Sequence, residues 1–341
     1  MTAEAYAAAG SGGHGPAAAG GQTSTVVPPE TSTAAAGPGG GPPGDSAAAA
    51  VGLVERYAAA FVCAVPDQPE DDGFFGPASV TWRLAADLSA PVAGLRSVLI
   101  QALHPLAMAG VDQHSDWRRD PVGRLAATST YVATLTYGDR DSASRAARRV
   151  RMIHEHVRGT DTVTGRSYAA GDPALLLWVH AALVDSVLAA VRLFGTPPAG
   201  SEADAYVGEM AVSAELLGVP REIIPDSAAA LQAYFTGVRS ELRCTPAAAE
   251  SMGYMLDPAG MGEEIAELWL DLRDAALATL PDWARDLYGY PAPPAVTPDR
   301  RTEIRQTLGV FDAVFMAEPG VLEARQQLAL RMRRASSGTR G

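Results

Sequence analysis

The sequence predicts an all-α protein: a single globular multi-helix domain behind a disordered N-terminal tail. Three observations carry that expectation. Apolar residues recur at helical spacing through nearly the whole chain after residue 73, and Gly, Pro and Asp punctuate the segments. The strict apolar–polar alternation of a half-buried strand is nearly absent. The tail follows from composition: the first 44 of 341 residues are largely Ala, Gly, Pro, Ser and Thr. A segment with so few large apolar side chains cannot offset the entropy of ordering itself.

The elements follow in order. After the tail, 1–44, a helix is expected over 47–65, ending before Pro66, and an acidic, turn-rich linker completes the region 45–73. The main domain, 74–334, carries helical patterns over 78–88, 91–103, 121–137, 140–158, 173–194, 202–217, 226–241, 246–256, 259–279, 281–287, 299–315 and 320–334. One short hairpin is expected within 160–170, where Gly165 sits in a polar turn between β-branched residues. The 174–194 segment is expected at the centre of the fold, because Leu175, Leu176, Leu177, Val179, Ala182, Leu183, Val187 and Leu188 spread around most of its circumference. Asp172 and Pro173 suit its cap and first position. Asp172, Asp185, Arg192 and a mid-helix His180 argue against its crossing a membrane, and no apolar run is expected to reach the roughly 20 residues a span needs.

Composition removes several classes of function. A net charge of −12 does not provide the cationic footprint that displaces counterions from nucleic acid. Every basic side chain is arginine, so Schiff-base chemistry and a P-loop lysine are excluded. Two cysteines, Cys63 and Cys244, are too few for a disulfide framework or a Cys-based metal site, and both suit buried thiols in a reduced compartment. The Ala-rich start lacks a basic leader, a compact Leu-rich core and a twin arginine, so a cytoplasmic protein is expected.

The chemistry concentrates between residues 104 and 180. Arg124 and Thr128, four apart, share one helix face. On the following helix Ala147, Val150, Ile153, His154 and Val157 fall in or beside one apolar stripe, which makes His154 the inward histidine and His156 an outward one. His180 is conspicuous on the most apolar helix. His104 precedes Pro105 and belongs at a turn or helix end. The residues by themselves leave His154 open between a satisfied core imidazole and a ligand, and Arg124 between an ion pair with Asp120 and a functional cation. A hydrolytic metal site from His154, His180 and Asp185 is a further arrangement, without HExxH spacing to support it.

Leu103-His104-Pro105, Arg124-x-x-x-Thr128, Ile153-His154-x-x-Val157-x-Gly159, Tyr168-x-Ala170-x-Asp172-Pro173 and Trp178-Val179-His180 occur in that order. As a set, over 74–288, they resemble the rubber-oxygenase and MpaB-like oxygenase family, which includes the latex clearing proteins. The resemblance implies an all-α oxygenase using haem b, with dioxygen or peroxide as co-substrate, a small apolar organic substrate of isoprenoid or natural-product type, and an electron donor. It implies His154 as the iron ligand and Arg124 and Thr128 as the catalytic pair on the opposite face, stabilising negative charge and assisting proton delivery. His104 and His180 fall near the cofactor, and Arg158, with Arg166, suits its propionates. The alternative is a protein that binds haem or a hydrophobic ligand without turnover, as a sensor does. One departure stands out: Ala127 occupies the place of a lysine that can cap the iron in the latex clearing proteins, so a lysine-closed resting state is impossible here. The absence of an export signal argues against polyisoprene as substrate.

Overall fold

The computed structural model describes residues 69–338, except 120, 257–262, 292 and 294, together with Val62 and Val65; the expected tail and the 47–65 helix otherwise lie outside the described residues. Among the described residues thirteen α-helices run α1 Val80–Ala85, α2 Ala90–Gln101, α3 Pro105–His114, α4 Pro121–Tyr137, α5 Arg140–His154, α6 Pro173–Leu193, α7 Glu202–Leu217, α8 Ala228–Val238, α9 Pro246–Leu256, α10 Glu263–Thr279, α11 Asp282–Tyr288, α12 Pro298–Ala317 and α13 Val321–Gly338. Between α5 and α6 a hairpin pairs β1 Arg158–Thr160 with β2 Ser167–Ala169. The all-α expectation holds.

Helix α6 forms where the sequence placed it. Pro173 supplies its first residue and the Asp172 carboxylate accepts from the Ala174 amide at 2.8 Å. α2 lies along α6 and α10 packs on both, so Leu99, Ile100 and Leu103 meet Trp178, Ala181 and Val184 in a dry core. Contrary to expectation, this helix is long and apolar enough to cross a bilayer, but 67% of its apolar window is buried inside the protein. It is apolar on several sides because neighbours cover several sides.

Two differences from the sequence reading have a clear local reason. α3 was not among the expected helices, because His104-Pro105 reads as a stop; Pro105 is instead the first residue of a new helix and His104 its cap. The 140–158 helix ends at His154, since Val157 already accepts from Ala170 across the hairpin at 2.9 Å. Gly159 lies opposite Tyr168 in the ladder, and a Cβ there would come within 2.6 Å of the Tyr168 hydroxyl. That hydroxyl donates to Gln113 at 2.8 Å and lies 3.1 Å from His114 Nε2, tying the hairpin to α3. Gly165 turns the hairpin with a φ of 70°.

Four helices frame one region of the fold. α4 packs on α5, α5 on α7 and α7 on α6, whereas α4 and α6 have little direct packing. α4 and α6 are therefore walls, α7 a floor, and α1 closes one end by touching α4, α6 and α7. Glu209 of α7 holds α1 in place, accepting from the Val80 and Thr81 amides at 3.2 and 2.8 Å and from the Thr81 hydroxyl at 2.7 Å. Trp82 of α1 then stacks edge-on against Tyr137 of α4, with ring centroids 5.2 Å apart.

Candidate functional site

Arg124, Thr128 and Tyr131 stand at i, i+4 and i+7 on α4 and so share one face. Arg124 and Thr128 are exposed, and Tyr131 lies deeper, half-buried, toward the end that α1 closes. The Arg124 guanidinium has no hydrogen-bond or ion-pair partner among the described residues; the Asp120 proposed for it lies outside them. Protein nevertheless surrounds it on enough sides that desolvation lowers its pKa, although an arginine stays charged throughout. The Thr128 hydroxyl donates back to the Arg124 carbonyl at 3.1 Å, which leaves its lone pairs outward. Tyr131 Oη is buried without any partner, and desolvation raises its pKa to about 12 against the opposing charge of Arg151.

His154 ends α5 in the neighbourhood of this face. Ala143 and Ala147 are buried, Val150 and His154 are half-buried at the following i+3 and i+4 steps, and Ile153, expected in the same stripe, is 55% exposed. The inward stripe runs 143, 147, 150, 154 and leaves Ile153 off it. Desolvation, and then the nearby charge of Arg124, lower the His154 pKa, so its ring is neutral with a free lone pair. Its ring has no hydrogen-bond partner among the described residues. A cavity of about 510 Å³ opens beside it, lined by Arg151, His154, Glu155, Arg158, Asp172 and Pro173 among others.

The opposite wall is bare and apolar. Val179 is 40% exposed on a helix otherwise largely enclosed, and Leu183 and Val187 on the same side are half-buried. His180 borders this stripe at 8% exposure; burial depresses its pKa to about 4, and its Nδ1 lies 3.0 Å from the Ser213 hydroxyl of α7.

The remaining expected residues lie elsewhere or are already engaged. His104 is buried at the start of α3, where its Nδ1 accepts from the Ala107 amide at 3.5 Å and its ring sits 5.8 Å from Trp178; desolvation lowers its pKa to about 4. Arg158 lines the cavity beside His154 and donates to the Glu155 carbonyl at 2.9 Å. Arg166 is paired with Glu241. Cys244 is a half-buried free thiol, and Cys63 lies outside the described residues. The arrangement of His154, His180 and Asp185 as a hydrolytic metal site is overturned: no such donor cluster occurs among the described residues, and Asp185 is committed to Arg96 at 2.6 Å and to Gln232 at 2.8 Å. Sequence reasoning missed Tyr131 and Arg151. The i, i+7 spacing of Tyr131 from Arg124 was a usable signal; Arg151 had none, since its guanidinium is placed by donating to the Leu216 carbonyl of α7, 65 positions away.

The family described as ER-bound oxygenase mpaB/B'/Rubber oxygenase, catalytic domain, matches residues 82–313, more than half of the chain and from α1 into α12. No curated protein and no solved structure matches the chain. The matched region contains both walls, the floor and every residue of the cleft named above. The chain belongs to the MpaB and rubber-oxygenase family and carries its all-α catalytic domain, that of an oxygenase and hence an oxidoreductase.

Proposed function

We propose that the protein is a haem b-dependent oxygenase acting on a small apolar organic substrate, with His154 holding the iron and Arg124 and Thr128 on the opposing face. The single observation that supports this best is the pairing of Arg124 with His154. A guanidinium and an imidazole stand close enough for one to depress the pKa of the other, and neither has a partner among the described residues. An exposed guanidinium and a half-buried imidazole left this way are open to a ligand that completes both. A macrocycle with a metal at its centre, apolar faces and anionic edges fits the donor set: a neutral imidazole, a nearby cation, an orphaned phenol deeper in, and a bare apolar wall.

Haem, when bound, supplies the redox chemistry, with dioxygen or peroxide as co-substrate and an electron donor completing the cycle. The chain supplies the rest. His154 offers a lone pair that burial and Arg124 keep free of a proton. Arg124 provides a fixed positive charge where negative charge develops. Thr128 has its proton on the Arg124 carbonyl, so it presents an acceptor to the cleft and must give up that bond to deliver a proton. Arg158, beside His154 at the cavity rim, suits a carboxylate edge of the cofactor. The family membership favours turnover over a non-catalytic sensor, and a cytoplasmic location belongs to the same proposal.

The test is a visible spectrum of the full chain titrated with hemin. A Soret band is expected in the wild type, its loss in His154→Ala, and its survival in Arg124→Ala with oxygen consumption abolished. A wild-type spectrum that stays that of free hemin, or a spectrum indifferent to His154→Ala, overturns the proposal.

A further inference from the structure

The hydrogen-bond chain Met210–Ser213–His180 determines which imidazole nitrogen carries the proton. Ser213 Oγ lies 2.7 Å from the Met210 carbonyl and 3.0 Å from His180 Nδ1. A carbonyl can only accept, so the single hydroxyl hydrogen goes to Met210. The proton between Ser213 and His180 must then come from the ring: Nδ1–H donates to Oγ, and Nε2 is left as a lone pair. No polar group among the described residues meets Nε2. Burial keeps the ring neutral down to a pH of about 4, so the lone pair persists under ordinary conditions.

Helix geometry places this acceptor at the margin of the apolar wall. At about 100° per residue, Val179, Leu183 and Val187 fall within about a quarter-turn of α6, and His180 points within about 20° of the direction of Val187, about two turns before it. On its other side α7 is fixed by Leu176 and Leu177 packing against Ala211 and Ala214. The ring is thus held between the floor and the bare stripe, with one nitrogen anchored to the floor. A histidine oriented by a hydrogen bond through one nitrogen is set to use the other.

We propose that His180 is a specificity-determining residue whose Nε2 accepts a hydrogen bond from a hydroxyl group on an otherwise apolar substrate lying along Val179, Leu183 and Val187. The substrate class is therefore an alcohol or phenol with a hydrocarbon body, and not a bare hydrocarbon. This rests on the cleft being the substrate site of the oxygenase. A lone pair that no donor among the described residues meets favours a substrate carrying the hydroxyl, in the way that sites built for a polar group reject analogues without it.

Two measurements on the full chain without haem test it. Nitrogen-15 NMR of labelled histidine, with the signal assigned through His180→Gln, is expected to show Nδ1 protonated and Nε2 bare at pH 7; a protonated Nε2 overturns the proposal. Calorimetric titration with the isomers octan-1-ol and 1-methoxyheptane is expected to favour the alcohol by on the order of tenfold, the value of one net hydrogen bond. His180→Phe should erase that preference while keeping the affinity for the ether, and His180→Gln, which retains an acceptor, should restore part of it. Equal affinities in the wild type, no binding of either probe, or a preference that survives His180→Phe sinks the idea. So does a six-coordinate haem spectrum that His180→Phe converts to five-coordinate, because Nε2 would then belong to the iron. An alcohol preference in a chain that takes up no hemin keeps this inference and removes the cofactor reading; hemin uptake without the preference does the reverse.

Discussion

Two arginines, Arg96 and Arg124, show how differently the core and the cleft are built. Arg96 is 3% exposed and fully answered: its nitrogens donate to Asp185 at 2.6 Å, Ser186 at 2.7 Å and the Thr279 carbonyl at 2.9 Å. Gln232 takes the other oxygen of Asp185. Arg124 is exposed, has no partner among the described residues and stands near a histidine that its charge disturbs. The first arrangement is what folding requires of a buried charge. The second leaves interactions to be completed by a ligand, and Tyr131 on the same face repeats the pattern with a buried hydroxyl. Polar groups that a fold leaves unsatisfied therefore mark its site more sharply than polar groups as such.

The largest effect that sharpens this contrast is at Asp185. Asp185→Ala strands the Arg96 guanidinium in the core and should lower stability by about 3–5 kcal/mol in urea unfolding. A loss below 1 kcal/mol would mean that the pair is hydrated and the two regions alike.

Acid gives the next effect. His104 and His180 bind protons near pH 6.5 when unfolded but resist until about pH 4 when folded. Between those values the unfolded chain holds more protons. Stability is therefore complete above about pH 6.5 and falls as pH drops toward 4, by up to about 3 kcal/mol for each ring. Denaturation followed at several pH values should show that slope, and His104→Gln should reduce it.

Gly159→Ala comes third. The added methyl group meets the Tyr168 ring and the Gln113 side chain, so about 1–3 kcal/mol should be lost through overpacking. Loosening of the hairpin should appear as faster amide exchange in 158–169.

The smallest effects are those at the cleft in cofactor-free protein. Tyr131→Phe removes an unanswered hydroxyl and should leave stability unchanged or raise it by about 1 kcal/mol. Arg124→Ala should fall within about 0.5 kcal/mol of wild type and let the His154 pKa rise back toward its ordinary value, read by NMR titration. A substantial loss in either variant would show that the cleft is structural and erase the contrast with the core.

Legibility from the sequence followed the range of the interactions. α4, α7 and α9 match their expected bounds because periodicity and capping are local. The hairpin and the Asp172-Pro173 start of α6 were equally legible. α3 was missed because Pro105 serves equally as a stop and as a first helical residue. In the site, Arg124 and Thr128 were visible by spacing and His154 by its stripe, whereas Asp185 looked available until α2 brought Arg96 against it.

What the sequence determined by itself was the helical class, most element boundaries, the central helix and the ordered motifs, since each depends on residues a few positions apart. Tertiary structure decided which polar groups are answered. Arg96 meets Asp185 89 positions away and His180 meets Ser213 33 positions away, while Arg124 and Tyr131 meet nothing among the described residues. Satisfaction of a buried charge or lone pair is set by what packs beside it, and no local pattern encodes a neighbour that the fold brings from a distant segment.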